Sequence, residues 1–202
     1  MGDGSWRLGV LGGSFDPPHL GHLLIASDVH ACLDLEKVLF VPAARPPHKA
    51  IDEGTPAPVR LEMTRLAVAG DPRFEVSAVE IERGLVYTLD TVSAISRQYE
   101  GCELYFIMGS DSLLQFDAWH EPEAILSLCR LAVALRPGDD EREVEAVARG
   151  LGRGAAIVVK TAMTDISSRD IRNRVRRDAP IRYLVPRPVE DFVTARRLYK
   201  MT

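Results

Sequence analysis

Short apolar runs alternate with stretches of helical period along almost the whole chain. Leu8-Gly9-Val10-Leu11 ends at Gly12-Gly13, and Val38-Leu39-Phe40-Val41 ends at Pro42. Residues 104–108, 131–135 and 156–159 read the same way, and 74–76 begin a further run. Apolar runs this short, closed by turn residues, predict buried strands. Between them, 20–31 carries Leu20, Leu23, Leu24 and Ala31 near one helical face, and 59–69 carries Val59, Met63, Leu66 and Ala67. Residues 88–99 repeat the pattern with Leu89, Val92 and Tyr99. Helices are also expected at 124–128, 141–149, 168–177 and 189–198. Strands separated by helices imply an α/β fold, a doubly wound parallel sheet with helices on both faces. The expectation is a single domain over 1–202 with a small C-terminal helical portion from about 165 to 202. In such sheets ligands gather where strands end and helices begin, so any chemistry-bearing motif should lie there.

The 202 residues are 46% hydrophobic and 27% charged, enough apolar material for a sizeable core. Net charge is −4 and the pI is near 5.8, which argues against nucleic acid as a partner. Cys32, Cys102 and Cys129 are far apart and odd in number, so a disulfide framework or zinc ribbon is not expected. They read as small core residues in a reducing, cytoplasmic setting. The first residues do not form a signal peptide, and no apolar run is long enough to span a bilayer. Gly150 to Gly154 misses the spacing of a dinucleotide-binding glycine motif and reads as a connector.

Candidate chemistry lies at the predicted strand ends. Gly12-Gly13-Ser14-Phe15-Asp16-Pro17-Pro18-His19-Leu20-Gly21-His22 leaves the first strand and opens the first helix. Its glycines would let the backbone turn tightly and approach a ligand. His19 and His22, three apart, would share a face near the helix N-terminus, where free N–H groups and partial positive charge favour a phosphate. A metal pair is the weaker alternative, because zinc needs further ligands. Near the other end, Ser167 with Asp170 fits a capping box. Ser168 and Arg172 are four apart, so a hydroxyl and a guanidinium can point the same way. A capped surface helix is the bland alternative, and Arg174, Arg176 and Arg177 read as its solvated face.

GGSFDPPHLGH resembles the signature of the HxGH nucleotidyltransferase superfamily, with Ser14 where Thr is frequent. Ile-Ser-Ser-x-x-Ile-Arg over Ile166 to Arg172 resembles the second signature of the same superfamily. The resemblance implies a Rossmann-like sheet and transfer of a nucleoside monophosphate with loss of pyrophosphate. Within it, three segments are similar to the bacterial nicotinate mononucleotide adenylyltransferases. They are Pro46-Pro47-His48-Lys49 after the second strand, Tyr87-Thr88-Leu89-Asp90-Thr91, and Gly109-Ser110-Asp111-Ser112-Leu113 followed by Trp119. Taken alone, these segments are a surface loop, a helix cap and an edge-of-core tryptophan.

The implied activity joins the AMP part of ATP to nicotinate mononucleotide, giving deamido-NAD and pyrophosphate in NAD biosynthesis. Another phosphate-ester acceptor such as phosphopantetheine, or a non-catalytic nucleotide-binding module, is the alternative. His19 and His22 would serve the reacting phosphate. Gly12, Gly13, Ser14, Phe15, Ser167, Ser168 and Arg172 would bind ATP. Lys49, Thr88, Asp111, Trp119 and Arg136 would bind the mononucleotide, with Thr88 capping its helix and Trp119 stacking on the pyridine ring. Mg2+ is expected on the phosphates, with no dedicated protein site. Association with further copies of the chain is left open.

Overall fold

The computed structural model describes residues 6–45, 55–136, 138–162 and 165–200. Six strands form one sheet: β1 (Arg7–Gly13), β2 (Lys37–Pro42), β3 (Phe74–Val76), β4 (Glu103–Gly109), β5 (Arg130–Leu135) and β6 (Ala156–Lys160). All pair in parallel, in the order β3-β2-β1-β4-β5-β6. The helices between and after them are α1 (Leu20–Leu33), α2 (Ala57–Val68), α3 (Val79–Arg83), α4 (Thr88–Gln98), α5 (Ser110–Leu113), α6 (Pro122–Leu128), α7 (Glu141–Gly150), α8 (Ser168–Arg176) and α9 (Arg187–Ala195). The doubly wound parallel sheet expected from the sequence is therefore present. Each of the six predicted strands exists, and α3, α5 and a 3-10 turn at Phe116–Ala118 are additions.

Alternation along the strands explains the two-faced burial. Leu11, Val38, Phe40, Tyr105, Ile107 and Ala132 face one core, with α1, α2, α8 and α9. Leu8, Val10, Leu39, Val41, Leu104, Phe106, Met108, Leu131 and Val133 face the other, with α4, α6 and α7. Successive side chains of a strand point to opposite faces, so a strand covered on both sides must be apolar throughout. Residues 171–193 thus share a core with α1 and α2: Ile171, Val175, Val189 and Val193 are all buried there.

Three local readings change. The buried side of α1 is Gly21, Ala26, Val29 and Leu33, not the stripe from Leu20 to Ala31. Ala26, Val29 and Leu33 share one face, but apolar residues also occupy other sides of this helix, so the sequence marks no single stripe as the core. Cys32 is exposed, whereas Cys129 is buried. Thr88 is the first residue of α4 and does not cap it; Tyr87 stands at the cap position.

Candidate active site

Strand order reverses between β1 and β4, and helices leave on opposite sides there. A crevice at the carboxyl ends of these strands follows from topology, and both histidines stand beside it. The turn out of β1 does not use its glycines for left-handed backbone. Gly12 and Gly13 belong to β1 itself, and the left-handed residue is Phe15, φ 47°. A bulky residue there is strained. It is held because the Phe15 ring is buried against Phe40 and the edge of His22, with centroids 5.7 and 5.0 Å away. Gly13 is required for contact: a Cβ on it would come within 3.1 Å of the Phe15 ring.

His19 occupies the N-cap of α1 and His22 its third residue. Their rings stack with centroids 3.7 Å apart. His22 Nδ1 accepts from the His19 backbone N–H at 3.1 Å, so a neutral His22 carries its proton on Nε2 and offers it as a donor. The His22 N–H goes to the His19 carbonyl at 3.0 Å. That leaves His19 Nδ1 buried over Gly21 without a hydrogen-bond partner. Gly21 completes the unit, because a Cβ there would lie 3.0 Å from His19 Nδ1. The glycine between the histidines is thus dictated by the ring packed over it.

Burial lowers the His19 pKa to about 4. His22 is also lowered, by burial first and then by His19 and Arg136. Both rings are therefore neutral at pH 7. The unfolded chain has ordinary histidines near 6.5 and binds protons that the folded protein refuses. Their contribution to stability is complete above pH 6.5 and is lost as pH falls toward 4. The expected result is a melting temperature that drops more steeply between pH 6.5 and 5 in the wild type than in His19→Asn. Parallel melting curves over that interval would refute it.

The second motif meets the first. Ser168 Oγ donates to the Pro17 carbonyl at 2.8 Å, and Arg172 Nη1 donates to the Asp16 carbonyl at 2.6 Å. Groups about 150 residues apart are thereby clasped around one loop. Ser167 behaves as a cap: its Oγ accepts from the Asp170 N–H at 3.1 Å and donates to the Asp170 carboxylate at 2.6 Å. The hydroxyl protons of Ser167 and Ser168 are both committed within the protein. Arg174, Arg176 and Arg177 are exposed, as expected.

Thr88, Asp111 and Trp119 line one cavity of about 560 Å3, together with Tyr87 and His120. Trp119 is half-buried, packed against Phe116 and edge-on to Phe106. Arg136, at the end of β5, pairs with Asp111 at 3.1 Å. Its backbone N–H donates to Asp139 Oδ2 at 2.9 Å, and Ser110 Oγ also donates to that oxygen. Arg136 thus links the cavity wall with the neighbourhood of His22. Lys49 lies outside the described residues.

Sequence reasoning missed Arg60, which is 1% exposed on α2. Its guanidinium donates to the carbonyls of Thr55, Ser14 and Ala43 at 3.1, 2.8 and 2.6 Å. It ties the loop after β1 to both flanks of the segment between β2 and α2. An arginine within the apolar period of Met63 and Ala67 was the available signal. Glu80 was missed too. Its carboxyl pKa is raised chiefly by burial, and it accepts from Thr91 Oγ1 at 2.8 Å and the Ala44 N–H at 3.3 Å.

A parallel sheet with a histidine pair at its switch point and a serine–arginine helix clasped to the same loop defines a nucleotidyltransferase. Residues 10–174 match the cytidylyltransferase-like family. A protein of Thermomicrobium roseum, named as a probable nicotinate-nucleotide adenylyltransferase, is 43% identical over 96% of this chain and 92% of its own length. One of the same name from Thermus thermophilus is 42% identical over 96% of this chain and its own full length. The chain belongs to the cytidylyltransferase-like family and, within it, to the nicotinate-nucleotide adenylyltransferases. The fold agrees with that of Plasmodium falciparum nicotinic acid mononucleotide adenylyltransferase complexed with NaAD. That structure has a TM-score of 0.79 at 15% identity and covers 96% of this chain and 97% of that one. Among the described residues no helix is long and apolar enough to cross a membrane.

Proposed function

We propose that this enzyme transfers AMP from ATP to nicotinate mononucleotide, releasing pyrophosphate and deamido-NAD. The observation that carries this reading is the clasp of Ser168 and Arg172 onto the loop that presents His19 and His22. The acceptor phosphate oxygen attacks the α-phosphorus of ATP, forming the new P–O bond as the bond to the β-phosphate oxygen breaks. Such a reaction asks the protein for alignment and for donors aimed at developing charge. His22, with its proton on Nε2, is one donor, and the His19 ring stacked on it is the second group beside the reacting phosphate. Phosphate beside these rings opposes the burial that keeps them neutral and favours their protonated forms.

Arg172 and the amides opening α8 serve the β and γ phosphates. Ser167 and Ser168 act first by shaping that helix end, and Gly12 to Phe15 give the backbone wall beside ATP. Thr88, Asp111 and Trp119 line the acceptor cavity, with Arg136 and Lys49 as its cations. Mg2+ would neutralise phosphate charge. Such an ion would be held mainly by phosphate oxygens and water. The reading also supports a water-soluble, cytoplasmic enzyme acting on small molecules.

The test is pyrophosphate release from ATP with nicotinate mononucleotide, nicotinamide mononucleotide and phosphopantetheine as separate acceptors. The highest kcat/KM is expected with the first. Equal or greater efficiency with phosphopantetheine would overturn the assignment. Trp119→Ala should raise the KM for the mononucleotide by about tenfold, the loss of a stacking face, with the KM for ATP unchanged. A change confined to ATP would remove Trp119 from the acceptor site.

A further inference from the structure

Asp16 lies in the loop between β1 and α1 and is 1% exposed. A carboxylate so deep needs partners, because uncompensated charge is costly to bury. Those partners come from distant parts of the chain. Tyr199 Oη donates to Asp16 Oδ1 at 2.9 Å. Arg172 Nη1 stands 3.8 Å from Asp16 Oδ2 while donating to the backbone carbonyl of the same residue. The Arg60 guanidinium also feels the Asp16 charge.

Tyr199 lies beyond α9, in backbone where Arg197 and Tyr199 itself have φ of 50° and 66°. Left-handed conformations of non-glycine residues cost energy and persist only where their surroundings hold them. Here the phenol is mostly buried, with its oxygen 3.7 Å from Met63 Sδ as well as bonded to Asp16. Burial, and then the Asp16 carboxylate, push the phenol pKa well above its ordinary value. The hydroxyl therefore keeps its proton and remains a donor.

We propose that Tyr199 is a positioning residue for adenylyl transfer, acting through Asp16 to keep the Arg172 guanidinium available to the ATP phosphates. This rests on the role given to Arg172 above. The Asp16 carboxylate and a phosphate compete for the same guanidinium. At 3.8 Å the carboxylate is near Arg172 without closing the two-bonded fork that such pairs favour. The Tyr199 hydroxyl bonds Oδ1 and is one of the contacts that hold the carboxylate in that orientation. Without it, Asp16 is less restrained and competes more strongly for Arg172, so ATP binding weakens while the acceptor cavity, built from α4 and the segment after β4, is untouched.

The variant is Tyr199→Phe, which keeps the ring and removes one hydroxyl. ATP affinity measured by calorimetry without acceptor should fall about tenfold, the size expected from freeing a charged competitor. In the steady state the KM for ATP should rise by about the same factor, kcat should fall several-fold, and the KM for the mononucleotide should stay constant. In an Asp16→Asn background the same change should add little, since a neutral amide competes weakly. The proposal is overturned if Tyr199→Phe lowers the melting temperature but leaves ATP affinity intact, or raises both KM values equally. It is overturned as well by a full effect in Asp16→Asn. Because the calorimetry needs no turnover, failure of the proposed reaction in the wild-type protein is a separate result.

Discussion

Replacing His22 by alanine is expected to lower turnover by about two orders of magnitude or more, as loss of an aimed donor does, while the protein stays folded. The ring is held by its Nδ1 bond to the His19 N–H and by contacts with His19 and Phe15. These restrain its rotation, so the proton on Nε2 is presented in one direction at no cost during reaction. An alanine loses the donor and the stack that sets the His19 ring. The effect should fall on kcat and on kcat/KM alike, with a smaller change in the KM for ATP, because the interaction is strongest when charge develops. Circular dichroism and melting will separate this from unfolding. Turnover within threefold of wild type would remove His22 from the chemistry.

Arg60→Met is expected to act on stability first. The buried guanidinium donates to four carbonyls, those of Ser14, Ala43, Ala44 and Thr55. Methionine fills much of the volume and strands them. Buried carbonyls left unsatisfied cost about 1–3 kcal/mol each, so losing several costs about 3–5 kcal/mol, and a chain of this size loses roughly 2–4 °C per kcal/mol. A fall in melting temperature of roughly 10 °C follows. Arg60→Lys should lie between the two, since an ammonium keeps the charge but lacks the planar fork. A melting temperature within 2 °C of wild type for Arg60→Met would show that those carbonyls find other partners. The KM values for both substrates should rise together, because Arg60 joins the loops on which both are read.

The strands were legible because a parallel sheet covered on both faces turns its pattern into plain apolar runs, and Gly12-Gly13 and Pro42 mark their ends. Helix α1 was harder. Apolar residues stand on several of its sides, so Ala26, Val29 and Leu33 could not be told from Leu20 to Leu24 by period alone. The short α3 and α5 fell below the length at which period is visible. Cys32 read as core by residue type and proved exposed, because type alone does not say which way a helix turns.

The site divides in the same manner. Which residues could handle phosphate was written in the chain: His19 and His22 beside a helix start, Ser167, Ser168 and Arg172 at another. Their spacing is local, and local spacing along a helix fixes which side chains share a face. Sequence also determined the fold class, since the order of strands and helices follows from hydrophobic period. Only the tertiary structure decided that Ser168 and Arg172 reach Pro17 and Asp16, that Phe15 rather than a glycine takes the left-handed turn, and that Arg60, Glu80 and Tyr199 secure the loops from below. Several of those contacts join residues far apart in the chain, Tyr199 to Asp16 across 183 positions and Arg60 to Ser14 across 46. Such pairings are set by how the two cores pack against one sheet, and no period along the chain encodes them.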